Sequence, residues 1–517
     1  MSKSKGKNAI KMSSFKRRKW VQALHIALLL LGLGSLVIYF NWWLSESRLQ
    51  SPWLWLFFAL AVAYTSIQLL GNWILYLAAA FHKESQHSPI LPTDTVDVFL
   101  TTYREDKALV ERALSAAVAM GIRHRTWLLD DGADPRLRRL ADELGAGYLI
   151  RNDRKDAKAG NINAALYQTD GDIIVIFDID HAPRPDFLEH TLGYFSDPEV
   201  GFVQVMLTFD NQDDGWVASA ASDMSLDFYN PVSVGSDALG STTMMGSNAL
   251  IRRRALESIG GYQPGLAEDL ATSLALHAEG WKSAYVHVPL APGYAPPDLR
   301  AWFTQQSKWA RGVFEIFVAD FPHLLSRLNW PQRMTYAIRM TYYWIGLVVA
   351  VHLFVSIAVL FSRNTVALNH LNSYLLHLLP LALVTVTFKQ LTLNQQHHPS
   401  VEVGQPLKPL SLLYLTWPIY TIAWLMAVFR VPLRFRATPK KPRGRLNLKW
   451  IAPHTLISLL LVLGLAFSLQ ALIANSAWLV LGLILFQLAG QLPIYVFWYK
   501  GNGKTTQEQG SSSTNRV

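Results

Sequence analysis

The chain has 517 residues, of which 51% are hydrophobic and 16% charged, whereas an average soluble protein has about 25% charged residues. It has no cysteine, which excludes disulfides, thiolate metal sites and cysteine nucleophiles. Basic residues cluster beside apolar segments, eight before residue 20 and seven between Arg434 and Lys449. Because the positive-inside rule explains both clusters, we expect an integral membrane protein that does not bind nucleic acid.

Two apolar runs open the chain, near 21–43 and 52–81. Each exceeds the roughly 20 residues that a helix needs to cross a bilayer. The basic residues before the first run place the N-terminus in the cytoplasm, and two spans return the chain there. Residues 1–81 are therefore predicted to form a basic cytoplasmic tail and two transmembrane helices.

The polar middle of the chain, residues 82–297, alternates strand and helix patterns. Buried or half-buried strands are predicted at "VDVFLTTY", "RTWLLDD", "GYLIR" and "DIIVIFD", with helices such as "DKALVERALSAAVAM" and "DPRLRRLADEL" between them. This alternation predicts a cytoplasmic, doubly wound α/β domain, which binds its ligands beyond the carboxyl ends of its strands.

Carboxylates follow two of these predicted strands. Asp131 follows "TWLL", and Asp178 and Asp180 follow "IVIF". Paired aspartates offer hard oxygens to Mg²⁺ or Mn²⁺, and the diphosphate of a nucleotide can complete the coordination shell. Aspartate is also a common turn residue at strand ends, so a D-x-D pattern alone leaves both interpretations open.

A second acidic pair, Glu268-Asp269, opens the predicted helix "AEDLATSLALHAEG". Acidic residues favour the first turn of a helix because of the helix dipole. Alternatively, Asp269 is a general base that takes a proton from an attacking hydroxyl group. The pattern does not decide between these interpretations.

After the α/β domain, residues 298–333 combine charges and aromatics at helical spacing, which predicts amphipathic helices at the membrane interface; a half-buried surface helix fits the pattern equally well. Residues 334–499 contain five further apolar runs. The run at 409–430, which includes Pro418, is predicted to lie along the membrane, because crossing would place the basic loop at 433–449 outside. This gives six spans, with seven as the alternative. The polar segment 500–517 is predicted to be disordered.

These motifs, in this order, resemble those of the bacterial cellulose synthase catalytic subunit and of processive family 2 glycosyltransferases with the inverting GT-A fold. "KAGNINAAL", "FVQ" at 202–204 and "GSNALIRRRAL" at 246–256 match further family segments, and "FRATPK" resembles the family's gating loop. The likeness covers roughly residues 95–320. The family's series D, D-x-D, E-D and Q-x-x-R-W is represented by Asp131, Asp178, Asp180, Glu268, Asp269, Gln305, Lys308 and Trp309.

The chain departs from the family pattern at two positions beside these motifs. Ala267 stands where the family has threonine before the acidic pair, and Lys308 stands where it has arginine. Lysine keeps the positive charge but loses the planar fork that grips a phosphate with two hydrogen bonds. We expect diphosphate contacts at this position to differ from those of cellulose synthases.

The resemblance implies a donor site on the α/β domain. Tyr103, Glu105 and Asp131 would hold the nucleoside, and Lys158 would lie near the ribose or diphosphate. The two aspartates of the D-x-D motif would position UDP and its Mg²⁺ or Mn²⁺.

The resemblance also implies an acceptor site. Asp269, beside Glu268, would deprotonate the acceptor hydroxyl, which attacks the anomeric carbon from the face opposite UDP and so inverts it. Trp309 would stack on the terminal sugar, and Gln305 and Lys308 would contact acceptor and diphosphate.

The function implied is that of a synthase in the inner or plasma membrane that uses UDP-glucose to extend a β-glucan and moves it across the bilayer. Its partners would be the UDP-sugar, the growing polysaccharide, the lipid bilayer and export subunits. Two alternatives are a non-processive enzyme that adds one sugar to a lipid, and a transporter with a nucleotide-binding domain. The late spans carry almost no charge, which disfavours the transporter.

Overall fold

Along the chain, the strands of a seven-stranded mixed sheet come between two groups of long apolar helices. The strand order is β3-β2-β1-β4-β6-β5-β7; β1 pairs in parallel with β2 and β4, and β6 runs antiparallel to both β4 and β5. The strands are β1 (Val96–Thr102), β2 (Arg125–Asp130), β3 (Gly147–Leu149), β4 (Ile173–Asp178), β5 (Val200–Val205), β6 (Ala249–Arg252) and β7 (Lys282–Val286). The structure, a computed structural model, describes residues 2–45, 52–83, 94–362, 365–401, 407–431 and 446–512.

Helices cover both faces of this sheet, and near-continuous apolar strands suit that position. Val98, Leu100 and Val175 face a core shared with α3 and α4, whereas the alternate residues Phe99 and Ile174 face a core shared with α5 and α9. The helices of this region are α3 (Lys107–Val118), α4 (Pro135–Glu143), α5 (Ala157–Leu166), α6 (Phe187–Thr191), α7 (Trp216–Asp227), α8 (Ser233–Ala238), α9 (Arg253–Ser258) and α10 (Glu268–Ala278).

Aspartates begin two of these helices. The Asp106 carboxylate accepts a hydrogen bond from the Ala108 amide at 3.0 Å, and the Asp134 carboxylate accepts one from the Arg136 amide at 2.8 Å. Each bond satisfies one of the amides that a helix start leaves unpaired. The capped helices α3 and α4 therefore start next to the carboxyl ends of β1 and β2.

Six segments of the described residues are long and apolar enough to cross a membrane, which agrees with the predicted count. The number of spans is seven only if two further helices, Leu407–Leu415 and Trp417–Val428, bent by 46° relative to each other, form one span. The six segments are Lys19–Trp43, Trp55–Phe81, Trp330–Ser362, Leu371–Gln396, Leu448–Ala474 and Trp478–Tyr499. Their helices are α1 (Ser2–Ser45), α2 (Pro52–Phe81), α13 (Trp330–Thr341), α14 (Ile345–Ser362), α15 (Thr365–Gln396), α18 (Leu448–Ala474) and α19 (Trp478–Ser512).

Two amphipathic helices, α11 (Leu299–Ala319) and α12 (Phe321–Leu324), connect the sheet region to these spans. The bent pair, α16 (Leu407–Leu415) and α17 (Trp417–Val428), packs on α7 and α11. The segment "FRATPK", for which the sequence predicts a gating-like loop, lies outside the described residues.

The C-terminal end differs from the prediction of disorder over 500–517. Helix α19 continues through the end of the last candidate span to Ser512. Adding residues to an existing helix is far less costly than nucleating a new one. A polar segment that follows a long apolar helix can therefore extend it, which the low apolar content of the segment did not indicate.

Candidate functional site

The carboxyl ends of β1, β2 and β4 meet at one edge of the sheet. Thr101 pairs with Asp178, and Thr102 pairs with Asp130. Asp131 and Asp178 are therefore two strands apart on the same edge, and Tyr103 follows the strand between them. This is the edge at which an α/β sheet binds ligands.

Three potential metal ligands follow β4. One ligand atom from each of Asp178, Asp180 and His181 lies within 4.8 Å of the other two. Both ring nitrogens of His181 are buried and have no hydrogen-bond partner in the described part of the chain; Nδ1 lies 3.7 Å from Asp180 Oδ1. Two carboxylates and an imidazole with unused nitrogens fit a divalent cation. The sequence reasoning had not assigned His181.

Neighbouring residues fix the backbone of this cluster. The Asp178 amide donates to Ser247 Oγ at 3.0 Å, and Arg112 donates to the Asp180 carbonyl at 3.2 Å. The His181 ring lies against Gly293, where an added Cβ would come within 2.6 Å of Nε2. The His181 ring can therefore occupy this position only because residue 293 is a glycine.

Lys158 of α5 lies between the D-x-D motif and the second acidic pair. Its ammonium contacts the Asp178 carboxylate and donates to the Gly246 carbonyl at 2.5 Å. Burial alone would lower the pKa of Lys158, but the carboxylates of Asp178, Glu268 and Asp269 together raise it above its usual value. The side chain therefore stays charged at the centre of the site.

Glu268 and Asp269 form the first turn of α10 and are half-buried. Asp269 Oδ1 accepts a hydrogen bond from the Leu270 amide at 2.7 Å. Burial raises the pKa of both carboxyls, that of Glu268 to about 7 with a further contribution from the negative charge of Asp269. The positive charges of Lys158 and Lys308 oppose this increase at both residues.

The loop at residues 245–247 lies between Asp178 and the pair Glu268-Asp269, and Gln204 fixes its backbone by hydrogen bonds. Its side-chain amide donates to the Ser247 carbonyl at 2.9 Å, and its Oε1 accepts from the Met245 amide at 2.8 Å. Gly246 has φ of 81°, in the left-handed region that favours glycine, and an added Cβ there would lie 3.4 Å from Asp269 Oδ2. The "FVQ" and "GSN" segments thus support the position of the site rather than its chemistry.

The predicted nucleoside residues follow the carboxyl ends of β1 and β2. The Asp131 carboxylate accepts two hydrogen bonds of 2.7 Å from Arg151, and both side chains are less than one-tenth exposed. Tyr103 is 41% exposed, and the Arg154 guanidinium lies 5.6 Å from its ring centre. Glu105 is half-buried next to Tyr103. The sequence reasoning missed Arg151; its only signal is its place directly after the "GYLI" strand pattern.

Helix α11 presents the remaining predicted residues. Lys308 lies close enough to the acidic pair for its charge to lower both pKa values, and Trp309 is 40% exposed. Gln305 is half-buried. The neighbouring Gln306 is buried and accepts a hydrogen bond from the Tyr420 hydroxyl at 2.6 Å. The structure thus groups Lys158, Lys308 and the acidic pair, while Gln306 joins α11 to α17.

Comparison with known proteins identifies the class. The profile of Glycosyl transferase family group 2 matches residues 173–433, about half of the chain, and the chain belongs to this family. The predicted α/β GT-A domain, combined with about six candidate spans, is confirmed.

The predicted resemblance to cellulose synthases is confirmed as well. Cellulose synthase 1 of Komagataeibacter xylinus is 31% identical over 499 residues, which are 89% of this chain and 31% of the relative. A cellulose synthase catalytic subunit (UDP-forming) of Pseudomonas fluorescens is 34% identical over 339 residues, which are 62% of this chain and 46% of the relative. The chain thus spans about a third of the first of these relatives and about half of the second.

Among solved structures, the mannosyltransferase of Pyrobaculum calidifontis in complex with GDP-Man and Mn²⁺ is similar to this chain. The two are 18% identical, with a TM-score of 0.49, and the match covers 73% of this chain and all of the other.

Proposed function

We propose that the protein is an inverting membrane glycosyltransferase that uses UDP-glucose to extend a β-glucan and to move it across the bilayer. The observation that carries this proposal is the position of Lys158 between Asp178 and the pair Glu268-Asp269. Lys158 thus lies between a site suited to a metal-bound diphosphate and a half-buried carboxylate suited to deprotonating a hydroxyl group. Such a pairing serves the transfer of a sugar from a diphosphate to an alcohol.

The donor would lie on the edge of the sheet. Asp178 and Asp180, with His181 beside them, would hold Mg²⁺ or Mn²⁺, which when bound neutralises charge on the departing diphosphate. Lys158 would add its charge on the same side. Tyr103 and Glu105 would contact the nucleoside, and Asp131 would do so while paired with Arg151, which orients its carboxylate.

The acceptor would approach from α11. Trp309 offers an exposed ring against which the flat face of a terminal sugar can stack, and Gln305 and Lys308 would contact the acceptor and the diphosphate. Asp269 would take the proton of the attacking hydroxyl, with Glu268 beside it sharing the negative charge of the pair. Attack from the face opposite UDP inverts the anomeric carbon, so an α-linked donor gives a β-linkage.

The topology is part of this proposal. The catalytic region 82–297, the interfacial helices 298–333 and both termini would be cytoplasmic, and the membrane region 334–499 would contain the bent pair as an interfacial element. In support, α17 contacts α11 through the Trp302–Thr416 hydrogen bond of 2.9 Å, and α16 contacts α7 through Lys408. The nascent glucan would then reach the membrane region directly from α11.

The test is an incubation of the purified protein in nanodiscs with radiolabelled UDP-glucose and Mg²⁺ or Mn²⁺. We expect label in high-molecular-weight material that a β-glucanase degrades, a loss with EDTA that either cation restores, and a decrease of about 100-fold or more in Asp269→Asn. Retained UDP binding shows that this variant is folded. Label found only in lipid extracts would contradict the proposal and identify a glycolipid product instead.

A further inference from the structure

Arg339 brings a positive charge from the membrane half of the chain to the acidic pair. It lies on α13, at the start of the candidate span Trp330–Ser362. Its Nη2 lies 3.0 Å from Met245 Sδ, and its guanidinium carbon lies 5.4 Å from the Phe228 ring centre. Met245 precedes Gly246, the residue that lies against the Asp269 carboxylate. The guanidinium therefore lies across one loop from the proposed base.

This guanidinium has an unused donor. Its Nη1 is buried and lacks a hydrogen-bond partner among the described residues, and no carboxylate of those residues lies within 4.0 Å of it. The Met245 thioether is only a weak acceptor for Nη2. Leaving a buried charged donor unpaired costs several times the net value of one hydrogen bond. A hydroxyl oxygen of a bound ligand would supply the missing acceptor.

We propose that Arg339 is a further acceptor-binding residue, whose Nη1 donates to a hydroxyl of the acceptor sugar next to the one that attacks. A sugar ring carries adjacent hydroxyls, so one hydrogen bond to Arg339 would orient the neighbouring hydroxyl toward Asp269. This inference rests on the proposed function and assigns to it a residue that none of the matched motifs contains.

The charge of Arg339 has a second effect on the site. Among the charges around Asp269, it does most to oppose the increase in pKa that burial causes. The other groups around this carboxyl come from six segments of the chain: Glu268 of α10, Lys158 of α5, Lys308 of α11, and the hydroxyls of Tyr229, Tyr262 and Tyr343. Removing the guanidinium should therefore raise the pKa of Asp269 further.

The experiment uses the full chain in nanodiscs with UDP-glucose as donor and cellotetraose as acceptor probe. In Arg339→Met we expect kcat/KM for cellotetraose to fall about tenfold, mainly through KM, with the acid limb of the pH profile at higher pH. Arg339→Lys keeps the charge and should restore the pH limb but not KM, because it lacks the guanidinium fork. The UDP affinity of both variants should stay within about twofold of wild type.

Arg333→Met is the matched control on the same helix. Arg333 donates to the Leu328 and Ser326 carbonyls, away from the site. We expect its kinetics to match wild type. The inference is wrong if Arg339→Met binds UDP but keeps the wild-type KM for the acceptor and the wild-type acid limb. If Arg339→Met does not fold, a wild-type acceptor KM in Arg339→Lys overturns the inference instead. A wild-type protein that transfers no label overturns the proposed function as well.

Discussion

At the scale of single residues, Lys158 connects the two acidic parts of the site. Its ammonium lies between the Asp178 carboxylate and the Gly246 carbonyl, with the acidic pair beyond. Lys158→Met leaves these carboxylates without their shared cation and removes a positive charge from the place of the diphosphate. We expect kcat/KM, measured by UDP release, to fall about 100-fold.

The control for this prediction is Lys155→Met, three residues earlier in the chain and exposed. Because Lys155 contributes only its backbone carbonyl to the site, through Arg151, its side chain should be replaceable without loss of activity. Equal activities of the two variants would show that Lys158 has only a structural role.

The acidic pair makes activity and stability depend on pH in opposite directions. With a pKa of about 7, Glu268 binds a proton in the folded protein at pH values where the unfolded chain does not, so stability falls as pH rises from about 4.5 to 7. Activity rises with pH instead, because Asp269 must be ionised to act as a base and burial raises its pKa.

Glu268→Gln tests whether the two carboxyls are coupled. The substitution removes one carboxylate of the pair, so Asp269 should ionise more easily and the acid limb of kcat/KM should move to lower pH. Above pH 7 the variant should unfold at a higher temperature than wild type. Profiles of rate and unfolding temperature against pH check both effects, and a limb that stays in place would show that Glu268 is not coupled to the base.

Not all of these residues could be predicted from the sequence. Asp131 and Asp178 follow apolar strands, and parallel strands bring their carboxyl ends to one edge, so their proximity follows from the pattern. Arg151 follows a three-residue strand and Arg339 lies at the start of an apolar run, and neither position has a recognisable motif. Their partners come from other elements, which only the folded chain brings near.

At the scale of elements, the contact between α17 and α11 positions the helix that carries Lys308 and Trp309. The Tyr420 hydroxyl donates to Gln306 Oε1 at 2.6 Å, with the two residues 1% and 3% exposed. Tyr420→Phe leaves the Gln306 oxygen buried without this donor, which should cost about 1–3 kcal/mol of stability. We expect a lower unfolding temperature in detergent and a lower transfer rate.

Tyr495→Phe on α19 is the matched control for this prediction. Within the described part of the chain, the Tyr495 hydroxyl makes only two long contacts, of 3.3 Å to Thr455 and 3.4 Å to Ser458. Its loss should change the unfolding temperature little. If both variants melt like wild type, α17 does not position α11 through this hydrogen bond.

The breaks between helices show what local sequence predicts and what it does not. Pro418, in the first turn of α17, indicates a helix start, because proline fits the first turn and interrupts a helix interior. The 3₁₀ turn Tyr342–Trp344 between α13 and α14 has no such marker. There Trp344 packs edge-on against Trp424, and Tyr343 against Tyr420, with ring centres 5.0 and 4.9 Å apart. The break between α13 and α14 thus lies where these aromatic residues pack against α17. The apolar run in the sequence does not reveal this packing.

At the scale of the whole molecule, the orientation in the membrane depends on whether the bent pair crosses. The distribution of basic residues and the packing of the bent pair both indicate that the pair does not cross. A crossing would place the basic segment at 433–449 outside, and the bent pair packs on α7 of the sheet region and on α11. We therefore expect residues 400 and 449 on the same, cytoplasmic side.

The absence of native cysteine makes this prediction directly testable. Ser400→Cys, Lys449→Cys and Ala474→Cys each introduce one thiol at an exposed position. In intact cells, a membrane-impermeant maleimide should label only the thiol at 474, between α18 and α19, and should reach the other two after lysis. Seven spans would exchange the results, with 449 labelled in intact cells and 474 protected. That outcome would place "FRATPK" across the membrane from the catalytic site and so contradict a gating role for that loop.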